Sequence, residues 1–302
     1  MSTGARAAWW LFAAHAALIV FSTVAMLTVL TGSVEVTGEP AATIMRVSYR
    51  IAGPAYVVLG TLSALVFAGS TIGWRRGVTL AAVAVTLSLA AELAGTSISL
   101  PFGDYTYSGM LGYRIFGLVP VPIPLSWFYM LLASLVIVSR LRPASDSSRP
   151  RWWWALGAGL LMVAWDVSMD PAMVKTGHWA WGGGDAIIAS GVPPWLVAFF
   201  TADAFYGMPL SNWFGWLLTA TLVARAMLSV VPPDEITRRM SRSSLPVALY
   251  LANGVMPVAL CLREGYWWAA ALGALAMGTP AVLAWRGPVT HRSVDLSIGR
   301  PA

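Results

Sequence analysis

Ala186–Thr201 reads AIIASGVPPWLVAFFT. It is apolar enough to enter a bilayer. A helix needs about 20 residues to cross about 30 Å of hydrocarbon, however, and this run is shorter and broken by Gly191, Pro193 and Pro194. Whether it crosses sets the sidedness of everything else. Working outward, eight longer apolar runs qualify as spans, at about residues 8–31, 53–74, 78–99, 122–141, 152–174, 208–231, 245–263 and 265–285. If 186–201 does not cross, 13 basic residues fall in segments on the amino-terminal side of the bilayer and 5 on the other. Counting it as a ninth span scatters the arginines over both faces. Since Lys and Arg collect in cytoplasmic loops, the first reading holds: both termini in the cytoplasm, with a re-entrant or interfacial element near 186–201. Backbone polar groups inside lipid must be satisfied within the segment, so the expected fold is all-α, a polytopic helical bundle in the cell membrane.

Composition agrees. Over 302 residues the mean hydropathy is +0.70, with 58% hydrophobic and 11% charged residues, where a soluble domain carries roughly a quarter charged. The net charge of +6 does not imply nucleic-acid binding, because 18 of the 19 basic residues are arginines scattered between apolar runs. One cysteine, Cys261, excludes an internal disulfide framework, and three histidines are too few for a His-rich di-iron enzyme. Arg6 before an apolar run looks like a signal peptide; the run exceeds a typical h-region and no small-residue cleavage site follows, so a retained helix is expected. Pro143–Pro150 is a short polar linker between two halves of a single transmembrane domain over 1–302. No motif recurs between those halves, which disfavours an inverted-repeat transporter.

A carboxyl group in hydrocarbon costs roughly 2.5 to 3.5 kcal/mol on insertion scales, so each one is a functional hypothesis. Glu92 and Asp166 each lie 14 residues past the cytoplasmic start of their spans, and so at one depth in the outer half. Asp170 follows Asp166 by four and shares its helix face. Two carboxyls side by side in a dry site favour one protonated and one ionised member, which supplies an acid. Outer loops bring Asp104, Tyr105, Tyr107, His178, Trp179 and Trp181, while Trp127, Trp165, Asn212 and Trp213 are expected to converge with the acids on one pocket. The structural alternatives stand beside these readings. Glu92 pairs with a neighbouring helix or an arginine; Asp170, before Pro171, is a turn or cap; Asp104 is a solvated loop residue; His178 is a loop or interface histidine; His15 is a packing residue. Trp9, Trp10, Trp152–Trp154, Trp267 and Trp268 read as interfacial belts.

Two segments resemble signature regions of carotenoid biosynthesis membrane proteins that act as carotenoid 1,2-hydratases, bisanhydrobacterioruberin hydratases among them. The first is Ala91–Met130, AELAGTSISLPFGDYTYSGMLGYRIFGLVPVPIPLSWFYM; the second starts at Trp165 as WDVSMDPAMVKTGHWAW and resumes at Tyr206 as YGMPLSNWFGW. The signature core thus covers about residues 91–216. One departure is visible, because Asp185–Phe205 separates the two parts of the second segment by more than the family pattern expects. The resemblance implies addition of water to the terminal double bond of an acyclic carotenoid, lycopene-type or C50, with no oxygen, metal or redox cofactor, in a membrane shared with other enzymes of the pathway. Protonating a trisubstituted alkene gives a tertiary carbocation, which calls for a poorly solvated acid, ring faces to stabilise charge, and one ordered water. On depth and spacing, Asp166 or Asp170 is the expected proton donor, with Glu92 or Asp104 positioning water. Trp165, Trp127, Tyr105 and Tyr107 are expected to face the cation, Trp179, Trp181 and Trp213 to line the pocket, and Asn212 to orient water.

Two other classes remain open at this point. Asp166 to Asp170 spells an Asp-x-x-x-Asp that would hold magnesium in a membrane prenyltransferase, although only five basic residues lie on the outer face to meet a diphosphate. Buried acids also serve proton-coupled transporters, and the rings alone would suit a carotenoid-binding protein.

Overall fold

In the computed structural model, which describes residues 2–28, 38–143, 151–183 and 193–286, the apolar runs are helices. They are α1 (Thr3–Thr28), α2 (Glu39–Ile72), α3 (Trp74–Ile98), α4 (Pro122–Leu141), α5 (Arg151–Lys175), α6 (Pro194–Thr201), α7 (Leu210–Val230), α8 (Leu245–Arg263) and α9 (Trp267–Arg286). Seven are long and apolar enough to cross a membrane. The remaining long helix, α5, has 25 residues; its two aspartates lower its hydropathy without shortening it. α6 has eight residues, about 12 Å of rise, and does not span. Pro193 and Pro194 open this helix at positions where a missing N–H costs nothing. Residues 186–192 of the same stretch lie outside the described residues. The second helix begins at Glu39, not near residue 53 as hydropathy suggests. Arg46 and Arg50 lower the hydropathy of that segment, and neither residue type opposes helix.

α4 is the mast of the bundle. Every residue from Ser126 to Ile137 is buried, and α2, α3, α5, α7, α8 and α9 all pack against it. Lipid is as apolar as leucine, so helix association relies on close fit, and small residues provide it. A methyl group on Gly159 would stand 2.5 Å from Thr221 Oγ1 of α7, and one on Gly273 would stand 2.6 Å from the Ser168 Cβ of α5. Outward-facing Leu160, Leu218, Leu222 and Leu275 are 40 to 65% exposed midway along their helices, as expected where the solvent is hydrocarbon.

The two ends of the bundle differ. One end is tied by arginine: both Arg76 terminal nitrogens donate to Glu235, each at 2.7 Å, and Arg140 donates to the carbonyls of Ser241 and Ala284. The other end is covered by the long connections. These form two small antiparallel pairs, β1 (Tyr105–Tyr107) with β4 (Trp179–Trp181), and β2 (Arg114–Ile115) with β3 (Val119–Pro120). In Tyr-Thr-Tyr and Trp-Ala-Trp the strand period of two turns both rings of each strand to one face. The register sets Tyr105 opposite Trp181 and Tyr107 opposite Trp179, with ring centroids 5.3 and 5.8 Å apart. Gly103 seats this cover on α7. Its φ is +120°, and an added Cβ would lie 3.0 Å from Pro209 Cγ and Ser211 Oγ, so both conformation and space require glycine. The Ser211 hydroxyl donates to the Phe102 carbonyl at 2.8 Å.

Candidate active site

Beneath the β1–β4 cover lies a cavity of about 80 Å3, reached by residues of α1 to α5, α7 and α8. Its wall is mostly aromatic and aliphatic. Two carboxyl groups interrupt it, Glu92 from α3 and Asp170 from α5, each 3% exposed.

Ring donors hold both acids. Glu92 Oε2 accepts from the hydroxyls of Tyr105 at 2.5 Å and Tyr107 at 2.8 Å, and Oε1 accepts from the Trp127 indole at 3.0 Å. Asp170 Oδ1 accepts from the Trp179 indole at 2.5 Å, and Oδ2 from the Trp181 indole at 3.1 Å. Thus β1 delivers two phenols to one acid and β4 delivers two indoles to the other. No Lys or Arg lines the cavity among the described residues. Burial first, and then the nearby Glu92 charge, hold the Tyr105 and Tyr107 phenols well above the ordinary tyrosine range, so they stay protonated and able to donate.

Asp166 stands one turn below Asp170 but is absent from the cavity wall. It is fully buried. Its Oδ2 accepts from Asn212 Nδ2 at 2.9 Å, while Oδ1 has no partner among the described residues. Asn212 itself does line the cavity. Helix α5 runs through Pro171 to Lys175, so Asp170 is neither a turn nor a cap: it presents its carboxyl from the last turns of a continuous helix.

The other expected residues divide. Trp127, Trp165, Tyr105, Tyr107, Trp179 and Trp181 all reach the cavity. Asp104 lies at the mouth of the cover, where its carbonyl accepts from the Gly182 amide at 2.7 Å, and it is not on the wall. Trp213 is turned away, with its ring against Phe205 at 5.2 Å. One turn from Asn212 on its own face, Trp216 takes the place expected of Trp213: it stacks on Trp127 at 4.6 Å with 19° between planes, and meets Trp165 edge-on at 5.8 Å. The spacing from Asn212 to Trp216 is the signal that would have found it.

A second polar group at the cavity, centred on Asn253, also escaped the sequence reading. Asn253 Oδ1 accepts from the Tyr129 hydroxyl at 2.9 Å, its carbonyl accepts from the Trp165 indole at 3.1 Å, and its Nδ2 stands 3.1 Å from His15 Nε2. The other His15 nitrogen lies 2.6 Å from the Tyr56 carbonyl. A carbonyl only accepts, so Nδ1 carries the proton and Nε2 accepts from Asn253. Instead of merely packing, His15 fixes the amide that orients Trp165 and Tyr129. An asparagine inside an apolar span was the available cue.

Over 145 residues the chain is 30% identical to a bisanhydrobacterioruberin hydratase of Haloarcula japonica, a match covering 47% of this chain and 42% of that protein. No solved structure matches the chain. Residues 52–280 match the family described as carotenoid biosynthesis protein. That span contains Glu92, Asp170, Asp166, the ring donors that hold the first two and the Trp127–Trp216 stack, and with it the chain belongs to the carotenoid biosynthesis protein family.

Proposed function

We propose that this membrane protein is a carotenoid hydratase, adding water across the terminal 1,2 double bond of an acyclic carotenoid. One observation carries the reading: two carboxyl groups share an apolar, ring-walled cavity with no cation beside them, each held by aromatic N–H or O–H donors. The similarity to a hydratase supports the same chemistry.

The terminal alkene is (CH3)2C=CH–. An acid transfers a proton to the CH carbon as the π bond breaks, which leaves a tertiary cation on the dimethyl carbon. Water adds there and loses a proton to a base, so one C–H and one C–O bond replace the π bond. Hydrogen-bonding capacity favours Glu92 as the acid. Tyrosine hydroxyls accept as well as donate, so Tyr105 and Tyr107 accommodate either protonation state of Glu92, whereas indoles only donate and suit an Asp170 that remains an acceptor. Asp170 is then the counter-charge to the cation, and the proton that water loses returns to the ionised Glu92, which restores the acid. Stacked Trp127 and Trp216, with Trp165 across them, offer ring faces to the positive charge. Asn212, anchored by Asp166, is the polar wall group suited to orienting water. Lipid supplies the substrate and the closed cover limits water. The arginine-rich end of the bundle, with both termini, faces the cytoplasm in this reading.

The prenyltransferase reading has less support, because Asp166 and Asp170 point to different partners, and a diphosphate would meet no Lys or Arg on the described wall. Expression in a lycopene-producing host tests the proposal: pigments should gain the mass of one water, with labelled oxygen arriving from water and not from molecular oxygen. Unchanged pigments, or label from molecular oxygen, would refute it.

A further inference from the structure

The open space continues beyond the acids. A second, smaller hollow lies under Met110 and Leu111 and is walled by α1, α2 and α8. It shares Tyr56, Leu111 and Met256 with the first. On α1 the two are about a turn or two apart, since Ile19 lines the first and Ser22, Ala25 and Met26 the second; on α2 the same holds for Tyr56 and Val57 against Ala52 and Gly53. The three shared side chains therefore form a gate between two chambers in series.

Exposed apolar side chains flank the far chamber. Phe21 on its wall is 47% exposed, and the neighbouring Val20, Val24 and Ile51 are 54, 54 and 58% exposed. No charged residue lines it among the described residues. His178 does, bonded to Thr176 Oγ1 at 2.8 Å; burial pulls its imidazole down to about 4, so the ring is neutral at neutral pH. Small residues keep the passage open, and a methyl group on Gly53 would meet only Leu111 Cδ2, at 4.0 Å.

A linear 40-carbon polyene is on the order of 30 Å long, about the thickness of the hydrocarbon core. The first cavity houses one end of such a molecule, so the rest must leave by an apolar opening. From this continuity we infer that the second cavity is a lateral channel that binds the distal stretch of a linear isoprenoid polyene. The reactive end passes between Tyr56, Leu111 and Met256 to Glu92, and the tail runs out between α1 and α2 into lipid. This inference rests on the proposed hydratase reading for its substrate, but binding can be read without turnover.

Ser22 gives the probe. Its hydroxyl is buried without a partner, so Ser22→Cys is a near-isosteric change that breaks no bond. In membranes from lycopene-producing cells, labelling of that thiol by a small thiosulfonate should be at least fivefold slower than in pigment-free membranes. Gly53→Leu in the same background should remove the protection. In the otherwise natural chain, Gly53→Leu, and Ala25→Phe from the facing helix, should shift the kcat/KM ratio of lycopene to a 15-carbon isoprenoid at least tenfold toward the short substrate. Equal labelling with and without lycopene, or an unchanged substrate ratio, would overturn the channel. Protection without any hydrated product would leave the channel standing and remove the hydratase reading.

Discussion

Replacing each acid by its amide separates the two carboxyl groups, because their partners differ in what they can do. In Glu92→Gln the amide oxygen can face the Trp127 indole, while the amide nitrogen faces the Tyr105 and Tyr107 hydroxyls. Phenols rotate and accept, so no donor is forced against another donor. In Asp170→Asn the oxygen can satisfy only one of Trp179 and Trp181, and the nitrogen is forced against the other indole N–H. Neither group can accept. A buried donor left unsatisfied costs about 1 to 3 kcal/mol. Asp170→Asn should therefore unfold at a lower temperature than Glu92→Gln, although both remove one ionisable group from the same cavity. The shorter Trp179 bond should keep the amide oxygen, which leaves Trp181, half-buried at the edge, as the clashing donor. Adding Trp181→Phe to Asp170→Asn deletes that N–H and should raise the unfolding temperature, whereas the same change in the natural protein should lower it. Thermal unfolding of the four purified proteins in one detergent forms the cycle. Equal stability of the two amide variants, or additive effects of Asp170→Asn and Trp181→Phe, would refute the donor-only argument, and with it the reason for making Asp170 the permanent acceptor.

Glu92→Gln should also lower hydration by about 10^2- to 10^4-fold, the usual contribution of a positioned general acid, as measured by product analysis at equal protein level. Trp216→Leu removes one ring face from the cation; at about 0.5 to 2 kcal/mol for such a contact, turnover should fall about 2- to 30-fold with substrate binding retained. Gly95→Ala places a methyl group 2.6 Å from the Tyr105 hydroxyl, one turn from Glu92, and should cut activity by displacing that phenol while leaving yield close to natural; full activity would show that the Tyr105 bond is dispensable. Stability should decline in acid in part through His178. Its folded value of about 4 lies below the ordinary 6.5, so the folded chain binds fewer protons between those values. This contribution is complete above about pH 6.5 and is lost as pH falls toward 4. His178→Gln should flatten the dependence of unfolding temperature on pH across that window.

How far the site could be read from the chain depends on which physical signal each residue leaves. Glu92, Asp166 and Asp170 stood out because hydrocarbon penalises carboxyls, and two of the three do meet in one cavity. The helices were legible for the same reason, with α2 the exception: hydropathy ends where arginines begin, but helix does not. Sidedness rested on arginine counts, and among the described residues α6 is too short to add a crossing. What the linear pattern did not disclose was pairing. Tyr105 and Trp179 are separated by two long helices, and only the register of β1 on β4 turns two phenols toward one acid and two indoles toward the other. A shift of one residue in that pairing would turn the rings of one strand to the opposite face and strip two of the four donors from their carboxyl. In the proposed reading, the difference between an acid that can hold a proton and one that serves as a fixed acceptor is therefore set by a three-residue strand pair in the cover, not by the depth of the acids alone. That dependence also explains why Asp166, the most deeply buried of the three, is the weakest candidate for contact with the alkene: no element of the cover reaches it, and Asn212 stands between it and the cavity.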